Sequence, residues 1–280
     1  MPSPHDPVAF AIFGLTIRWY ALILLRAIVV GITLIAQLAK RRGMDPDFFL
    51  DIAPWVVLSA IVGARVYYIL LRGGYFLDHP GEAVNVRLGG LTIHGALAAG
   101  IGVFYLFYRR RGQPFLAWAD LAMAVVPIGQ AIGRLGNWAN QEAFGRPSTL
   151  PWAVEIDPER RPAEYAAFAT FHPTFLYEGL LDLGIAAVLI SLVLRMPRDR
   201  RLRPGDALWT YLLLYGLARL AIEPLRTDSL YIGPLPAAYW LSGALIVLGG
   251  AMLLIRHVGY DARRDVPATV AVGEAERDDF

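Results

Sequence analysis

Thirteen residues from Gly133 to Gly145 concentrate chemically versatile side chains within an otherwise apolar chain. They read GRLGNWANQEAFG and include one arginine, one glutamate, one glutamine, two asparagines and three glycines. Polar residues near bilayer hydrocarbon are costly and usually mark a functional site in a membrane protein. The guanidinium of Arg134 can hold a phosphate by two parallel hydrogen bonds, and glycines allow close approach of backbone to a ligand. The segment therefore predicts a site for a phosphate-bearing headgroup at the membrane edge.

Three further polar clusters lie at the ends of other apolar segments, at 89–96, 172–178 and 223–228. Arg226 offers a second guanidinium, and His94 offers an imidazole that can accept a proton near neutral pH. Structural roles are the alternatives, because interfacial arginines snorkel and a lone histidine in an apolar helix is commonly packed. Arg219 lies within a span and has Glu223 as its helical neighbour four residues on.

Other polar residues have both a chemical and a structural interpretation. Glu142 and Glu178 are candidate general bases, arginine partners or charges that favour a helix start. Asn137 and Asn140, three residues apart, share a face if helical and would bind ester or glycerol oxygens or cap a helix. Tyr20 would donate to a headgroup or belong to the interfacial aromatic belt.

Several chemistries are excluded by the residues that are missing from the sequence. With no cysteine, the chain has no disulfide, no thiolate nucleophile and no cysteine-bound metal, so any thiol must arrive with a substrate. It contains no Gly-x-Ser-x-Gly and no His-Glu-x-x-His motif. No compact metal-ligand spacing is present, so we expect neither a metal nor another cofactor. The net charge of +2 gives no indication of a nucleic-acid partner.

Composition indicates an all-α, polytopic membrane protein that forms a single domain over 1–280. The chain is 56% hydrophobic and 18% charged, with a mean hydropathy of +0.46; soluble domains run about 45–50% apolar and 25% charged. A membrane span needs ~20 mostly apolar residues. Seven segments qualify, at roughly 18–39, 50–71, 91–108, 115–134, 174–194, 206–223 and 237–256. The fourth is predicted to be irregular in its second half, because Pro127 and glycines interrupt it.

Charge in the links predicts the topology. The links after the first, third, fifth and seventh spans are rich in arginine and lysine, and basic short loops stay cytoplasmic. The N-terminus is then outside and the C-terminus inside, with 72–90, 135–173 and 224–236 on the outer face. We predict a small folded cap at about 135–173, with a strand near 152–156 and helical turns within 164–171. Residues 78–84 are predicted to open a short interfacial helix. Residues from about 265 to 280 are predicted to form a disordered cytoplasmic tail.

The 133–145 segment resembles the signature of the bacterial prolipoprotein diacylglyceryl transferase family, Gly-Arg-x-Gly/Ala-Asn-aromatic-x-Asn-x-Glu-x-x-Gly, with Trp138 at the aromatic position. Further matches follow in the family's order, at Arg18-Trp19-Tyr20, Gly63-Ala64-Arg65, His94-Gly95, His172-Pro173…Leu176-Tyr177-Glu178 and Glu223…Arg226…Asp228. Ala96, Pro224 and Thr227 depart from the family pattern.

The resemblance implies seven transmembrane helices in the bacterial cytoplasmic membrane and the first step of lipoprotein maturation. The implied reaction transfers the diacylglyceryl group of phosphatidylglycerol to the lipobox cysteine of a prolipoprotein signal peptide, giving a thioether and glycerol 1-phosphate. The expected partners are those two substrates and membrane lipids. The resemblance makes Arg134 and Arg226 the essential arginines and His94 the essential histidine. Our catalytic candidates are these three and Glu142; our substrate-binding candidates are Tyr20, Asn137, Asn140, Gly145, Gly95 and Glu178.

Two other classes of function are rivals. A non-enzymatic lipid-binding or transport protein would place polar residues at the membrane midplane, with discontinuous helices in related halves. Another phosphoglycerolipid enzyme, such as a headgroup hydrolase, would share the phosphate-binding residues.

Overall fold

The computed structural model describes residues 8–12, 15–85 and 89–258. Over these ranges the chain is a helical bundle whose α-helices are α1 (Trp19–Arg41), α2 (Pro46–Leu71), α3 (Gly73–Asp78), α4 (Ile93–Arg110), α5 (Phe115–Asn140), α6 (Thr174–Arg195), α7 (Asp206–Ile222) and α8 (Ala237–His257). The short antiparallel strand pairs are β1 (Val8–Ile12) with β2 (Leu15–Arg18), β3 (Val154–Glu155) with β4 (Thr170–Phe171), and β5 (Tyr231–Ile232) with β6 (Leu235–Pro236). The first and last pairs, which precede α1 and α8, were not predicted from sequence.

Five helices are long and apolar enough to cross a membrane: α1, α2, α5, α6 and α8. The prediction of an all-helical membrane protein is therefore confirmed at this level. Helices α4 and α7, of 18 and 17 residues, coincide with the other two predicted spans. Both are short, and α4 ends on two arginines, so their crossing of the membrane stays a prediction.

Helix α5 corrects one expectation, because it runs unbroken for 26 residues through Pro127 to Asn140. Proline and glycine are tolerated inside a membrane helix when neighbouring helices surround it, and α5 packs against α1, α6 and α7. The prediction that the second half of this helix is irregular is therefore wrong. The first eight residues of the 133–145 segment are helical, and the outer link begins at Gln141 rather than at residue 135.

The large apolar core lies at one end of the bundle, where the basic links are. It draws on α1, α2, α5, α6 and α7, and at its centre the buried Trp118 ring packs against Phe48 and Phe49 at 5.1 and 6.0 Å between centroids. Asp120 accepts hydrogen bonds from the backbone of Gly205 and Leu208 at the start of α7. This end is closely packed, and the polar clusters lie at the opposite end.

Arg65, which lies within a predicted span, organises the outer link before α4. Its buried guanidinium donates to five backbone carbonyls at 2.6–3.2 Å, those of Glu82, Ala83, Asn85, Gly89 and Gly90. The arginine thus satisfies link carbonyls that would otherwise lack partners. The predicted interfacial helix at 78–84 is only a 3₁₀ turn at Pro80–Glu82, and α3 precedes it.

The cap is a small folded unit with its own apolar centre. Strand β3 lies inside the predicted 152–156 strand, and Val154, Ile156 and Phe171 are fully buried with Phe144 and Phe175 around them. Helical turns predicted within 164–171 are reduced to a 3₁₀ turn, because β4 takes up the end of that stretch. The predicted tail at 265–280 lies outside the described residues.

Candidate functional site

Glu178 is the centre of a charged cluster at the end of the bundle opposite the large apolar core. It lies in the second turn of α6, with a side chain only 6% exposed. Arg134 from α5 pairs with its Oε2 atom, and Arg226, just after α7, reaches its Oε1 atom at 2.5 Å. Arg219 of α7 lies 3.7 Å from the same Oε1 atom. Guanidinium groups from three parts of the chain therefore surround one carboxylate.

Arg219 is the member of this cluster that sequence reasoning missed. Its expected partner is present, since Nη2 lies 2.6 Å from Glu223 Oε2, one helical turn away. The contact of Arg219 with Glu178 is long-range, so helical spacing gave no signal for it. Because α7 packs beside α6, the same guanidinium faces both carboxylates.

Arg226 is oriented by two carboxylates. Its Nε and Nη2 atoms donate to the two carboxylate oxygens of Asp228 at 2.9 and 2.6 Å, which leaves Nη1 for Glu178. Burial acts to lower the pKa of Arg226, but the hydrogen bond to Asp228 and the charges of both carboxylates outweigh it and raise that pKa. Arg226 is therefore a fixed cation in a fixed orientation.

A line of hydrogen bonds joins Glu142 to the arginine cluster. Arg134 Nη1 donates to Asn137 Oδ1 at 3.4 Å, and Asn137 Nδ2 donates to Glu142 Oε1 at 3.1 Å. Asn140 Nδ2 donates to the same oxygen at 3.2 Å. The two asparagines thus share a helix face, as their spacing predicts. Among the described residues, these amides rather than an arginine are the partners of Glu142.

The chain reverses sharply at Glu142. Gln141 and Ala143 have φ of 51° and 55°, and they are the only non-glycine residues in the described ranges with positive φ. This left-handed conformation costs roughly 1–2 kcal/mol per residue for L-amino acids. Contacts from the cap compensate, because the Gln141 amide donates to Asp157 Oδ2 at 2.7 Å and accepts from the Asp157 backbone at 2.8 Å. The strained turn therefore folds Glu142 back over the end of α5.

Gly145 connects the end of this segment to Arg226. Its N–H donates to the His172 carbonyl at 2.8 Å, and the next N–H, of Arg146, donates to the Leu225 carbonyl at 2.7 Å. A Cβ atom at position 145 would lie 2.6 Å from that Leu225 oxygen and 2.8 Å from Thr174 Cγ2. Glycine is required here for space, and its φ is not positive.

We predict that Gly145→Ala moves the Leu225–Arg226 segment away and lowers the rate of the transfer that the family resemblance implies by about 10-fold or more, since small misplacements of binding groups are costly in catalysis. The control is Gly184→Ala in α6, where an added Cβ would meet no atom within 4 Å. The measurement is kcat/KM of each variant alongside its melting temperature. A fully active Gly145→Ala enzyme would show that the position of Arg226 does not depend on this contact.

Tyr20 lies at the same end of the bundle, beside the 133–145 segment. A Cβ atom added to Gly136 would be 2.7 Å from the Tyr20 ring, so α1 and α5 meet closely there. Because Gly136 has no side chain, the Tyr20 ring can pack directly against α5.

His94 and Gly95 lie in the first turn of α4. Gly95 is buried against Gly63 of α2, and a Cβ atom at either position would collide with the other's carbonyl oxygen. His94 is exposed, with the Tyr67 ring of α2 at 6.2 Å between centroids. Within the described ranges no hydrogen bond or ion pair joins His94 to the arginines. Among the described residues, the structure therefore gives His94 no bond to the cluster that unites Arg134, Arg226, Glu178, Asn137, Glu142 and Asn140.

An apolar groove of about 410 Å³ runs between α5 and α6, with Arg134 on its wall. Its other lining residues are Ala131, Ile132, Leu135, Trp138, Phe175, Leu176, Gly179, Leu180 and Leu183. The groove combines hydrocarbon surface with an arginine side chain on its wall, which suits an amphiphile with an anionic head.

A bundle of apolar spans with a buried arginine–carboxylate cluster at one end defines an integral membrane protein with a charged site. The family model for prolipoprotein diacylglyceryl transferase matches residues 7–255. A phosphatidylglycerol–prolipoprotein diacylglyceryl transferase of Trichormus variabilis is 43% identical over 95% of this chain and 93% of its own length. Like-named proteins of Nostoc sp. and Finegoldia magna are 43% and 38% identical, over 96% and 87% of this chain and 95% and 93% of their own lengths. The chain therefore belongs to the prolipoprotein diacylglyceryl transferase family and is a membrane-bound transferase.

Proposed function

We propose that this protein transfers the diacylglyceryl group of phosphatidylglycerol to the lipobox cysteine of a prolipoprotein, the first step of lipoprotein maturation. The C–O bond between the lipid glycerol and phosphate breaks, a C–S bond forms, the thiol proton passes to a base, and glycerol 1-phosphate leaves. The observation that carries the proposal is the convergence of Arg134 and Arg226 on one carboxylate in a member of this family.

The cluster supports binding of a phosphodiester. A phosphodiester presents two anionic oxygens, as the carboxylate of Glu178 does, and arginine forks bind either group. We propose that the phosphate takes over part of the contacts that Glu178 now makes with Arg134 and Arg226. Arginines held in this way stabilise the negative charge that grows on the departing phosphate oxygen. Arg219 adds a third cation on the same side of Glu178.

The groove between α5 and α6 supports lateral entry of a membrane lipid. A phosphate at Arg134 would leave an acyl chain beside Trp138, Gly179 and Leu183, at hydrocarbon depth. We place Tyr20, Asn137 and Asn140 around the lipid's glycerol and ester oxygens.

The thiol must lose a proton, since its ordinary pKa is ~8.5. We propose His94 for this role, or alternatively as a group that orients the lipid, because it is exposed at the outer end of α4. Gly95 contributes through the close contact with Gly63 that places His94. Glu142, connected to Arg134 through Asn137, is the second acid–base candidate.

The base role of His94 predicts a pH effect. A histidine base gives the pH profile of kcat/KM an acidic limb, so His94→Asn is expected to lose that limb and most of its rate. The control is His79→Asn, because His79 is an exposed histidine that stacks on Tyr75 in the neighbouring link. An unchanged acidic limb in His94→Asn would leave only the orienting role.

We also propose seven crossings of the bacterial cytoplasmic membrane, with the N-terminus outside and the C-terminus inside. The support is that α4 packs along α2 and α7 along α8, so neither short helix stands apart from the apolar spans. The absence of cysteine makes single-cysteine labelling direct. Thr149→Cys in the cap is expected to react with an impermeant maleimide in intact cells, and Arg110→Cys only after lysis. The reverse pattern would invert the topology.

One experiment separates this function from its rivals. Purified protein is incubated with phosphatidylglycerol labelled in its acyl chains and with a lipobox peptide. Label on the peptide supports the transferase, free labelled lipid product indicates a hydrolase, and neither indicates a binding or transport protein. A serine-for-cysteine peptide is the control, since its hydroxyl is a much poorer nucleophile than a thiol at neutral pH.

A further inference from the structure

Asp182 is a buried carboxyl group for which the proposed reaction has no use. It lies one helical turn below Glu178 on α6 and is only 4% exposed. Its Oδ2 atom is buried and has no hydrogen-bond partner within the described residues. Leaving such a group unsatisfied costs about 1–3 kcal/mol, and more when it is charged.

Arg219, opposite Asp182, has a complementary deficiency. Its Nη1 atom is also buried without a hydrogen bond in the described part of the chain, and Glu178 Oε1 lies 3.7 Å from it. Asp182 and Arg219 line one small cavity of about 10 Å³, which Glu178 and Tyr215 also border. Within the described residues, a side chain with an unpaired acceptor and one with an unpaired donor thus border the same cavity.

The size and polarity of this cavity suit one water molecule. A buried water needs a cavity volume of roughly 10–15 Å³ and two to four polar partners. We propose that the cavity binds one water, which accepts from Arg219 Nη1 and donates to Asp182 Oδ2, and that Asp182 is thereby a positioning residue for Arg219. This inference rests on the proposed function, in which Arg219 faces the substrate phosphate.

The need for such a residue follows from the displacement of Glu178. When the phosphate displaces Glu178, Nη1 of Arg219 exchanges the nearby carboxylate of Glu178 for a ligand that departs during the reaction, while Nη2 keeps its contact with Glu223. Asp182, linked to Arg219 through the water, would keep the guanidinium in position throughout the reaction. Supporting contacts of this kind fix the geometry of the groups that contact substrate. Stability alone does not explain Asp182, since a buried charge is often replaced by an apolar side chain without loss.

The test compares Asp182→Asn with Asp182→Leu in the labelled-lipid assay. Asparagine keeps an oxygen that can accept from the water, so kcat is expected within about 3-fold of wild type. Leucine removes the acceptor, and kcat is expected to fall about 10-fold or more with KM for phosphatidylglycerol little changed, because Arg219 acts on charge that develops in the transition state. The melting temperature of Asp182→Leu is expected to match or exceed that of wild type.

The control is Asp206→Asn, at the other end of α7. Asp206 is also buried, and it pairs with His257 at 3.0 Å. Its loss is expected to lower the melting temperature and leave kcat unchanged. The two positions thus separate an effect on the reaction from an effect on stability.

A wild-type kcat in Asp182→Leu would overturn the inference. Equal losses of kcat in both Asp182 variants, together with lower melting temperatures, would also overturn it, since they indicate a structural role. If the leucine variant does not fold, Asp182→Ala replaces it, and equal kcat for Asn and Ala has the same consequence. A wild-type protein that labels no peptide would overturn the proposed function itself, whereas normal transfer by all Asp182 variants removes only the positioning role.

Discussion

Arg134→Lys is expected to lose at least about 100-fold in kcat/KM for diacylglyceryl transfer, the usual loss when one donor to a developing charge is removed. Arg134 contacts Glu178 through Nη2 and Asn137 through Nη1. A lysine keeps the charge, but its single ammonium group cannot reproduce a planar fork that serves two partners. The measurement is the initial rate of label transfer to a lipobox peptide in detergent or proteoliposomes.

The matched control for that loss is Arg146→Lys. Arg146 follows the same segment and is exposed, so the same substitution there is expected to leave the rate within about 2-fold of wild type. Near-normal transfer by Arg134→Lys would contradict the phosphate-binding role of Arg134, whatever the geometry of the cluster. A loss in both variants would point to a general effect of replacing arginine by lysine at this end of the bundle.

The sequence predicts those features of the structure that a local property decides. The apolar lengths of α1, α2, α5, α6 and α8 follow from the thickness of the bilayer. Asn137 and Asn140 share a face because the helix repeats every 3.6 residues. Each of these properties is written in a short stretch of residues.

The features that were wrongly predicted or missed depend on how the helices of the whole bundle pack together. Pro127 is an ordinary helix breaker, and it is tolerated because α1, α6 and α7 surround α5. The contact of Arg219 with Glu178 depends on the packing of α7 beside α6, which no spacing encodes. The left-handed Gln141 and Ala143 are poor choices for that conformation, and long-range hydrogen bonds between Asp157 and Gln141 and from Thr174 to the Ala143 carbonyl stabilise the turn.

Glu178 links stability to substrate binding in this site. Three guanidinium groups in close proximity repel one another, and a buried carboxylate among them compensates for that repulsion. A bound phosphodiester carries the same charge and presents a similar pair of oxygens. The protein without substrate is therefore held together by an internal anion that resembles the group it is proposed to bind.

Glu178→Gln is accordingly expected to be strongly destabilised, by about 3 kcal/mol, because removing one partner of a buried ion pair leaves uncompensated charge. Phosphatidylglycerol is expected to restore part of this loss, since an anion that binds only the folded state stabilises it by mass action. The rise in melting temperature on adding phosphatidylglycerol should therefore be larger for Glu178→Gln than for wild type. Phosphatidylcholine, whose headgroup carries no net charge, should not produce the difference.

Glu164→Gln provides the control for charge alone, because Glu164 is exposed in the cap, and it should behave like wild type with either lipid. An equal rise in melting temperature for Glu178→Gln and wild type would show that the phosphate does not share the arginines with this carboxylate. In that case Glu178 would only hold α5, α6 and α7 together, and the lipid phosphate would have to bind elsewhere. A larger rise in the variant would instead place the lipid phosphate among the three arginines that Glu178 now joins.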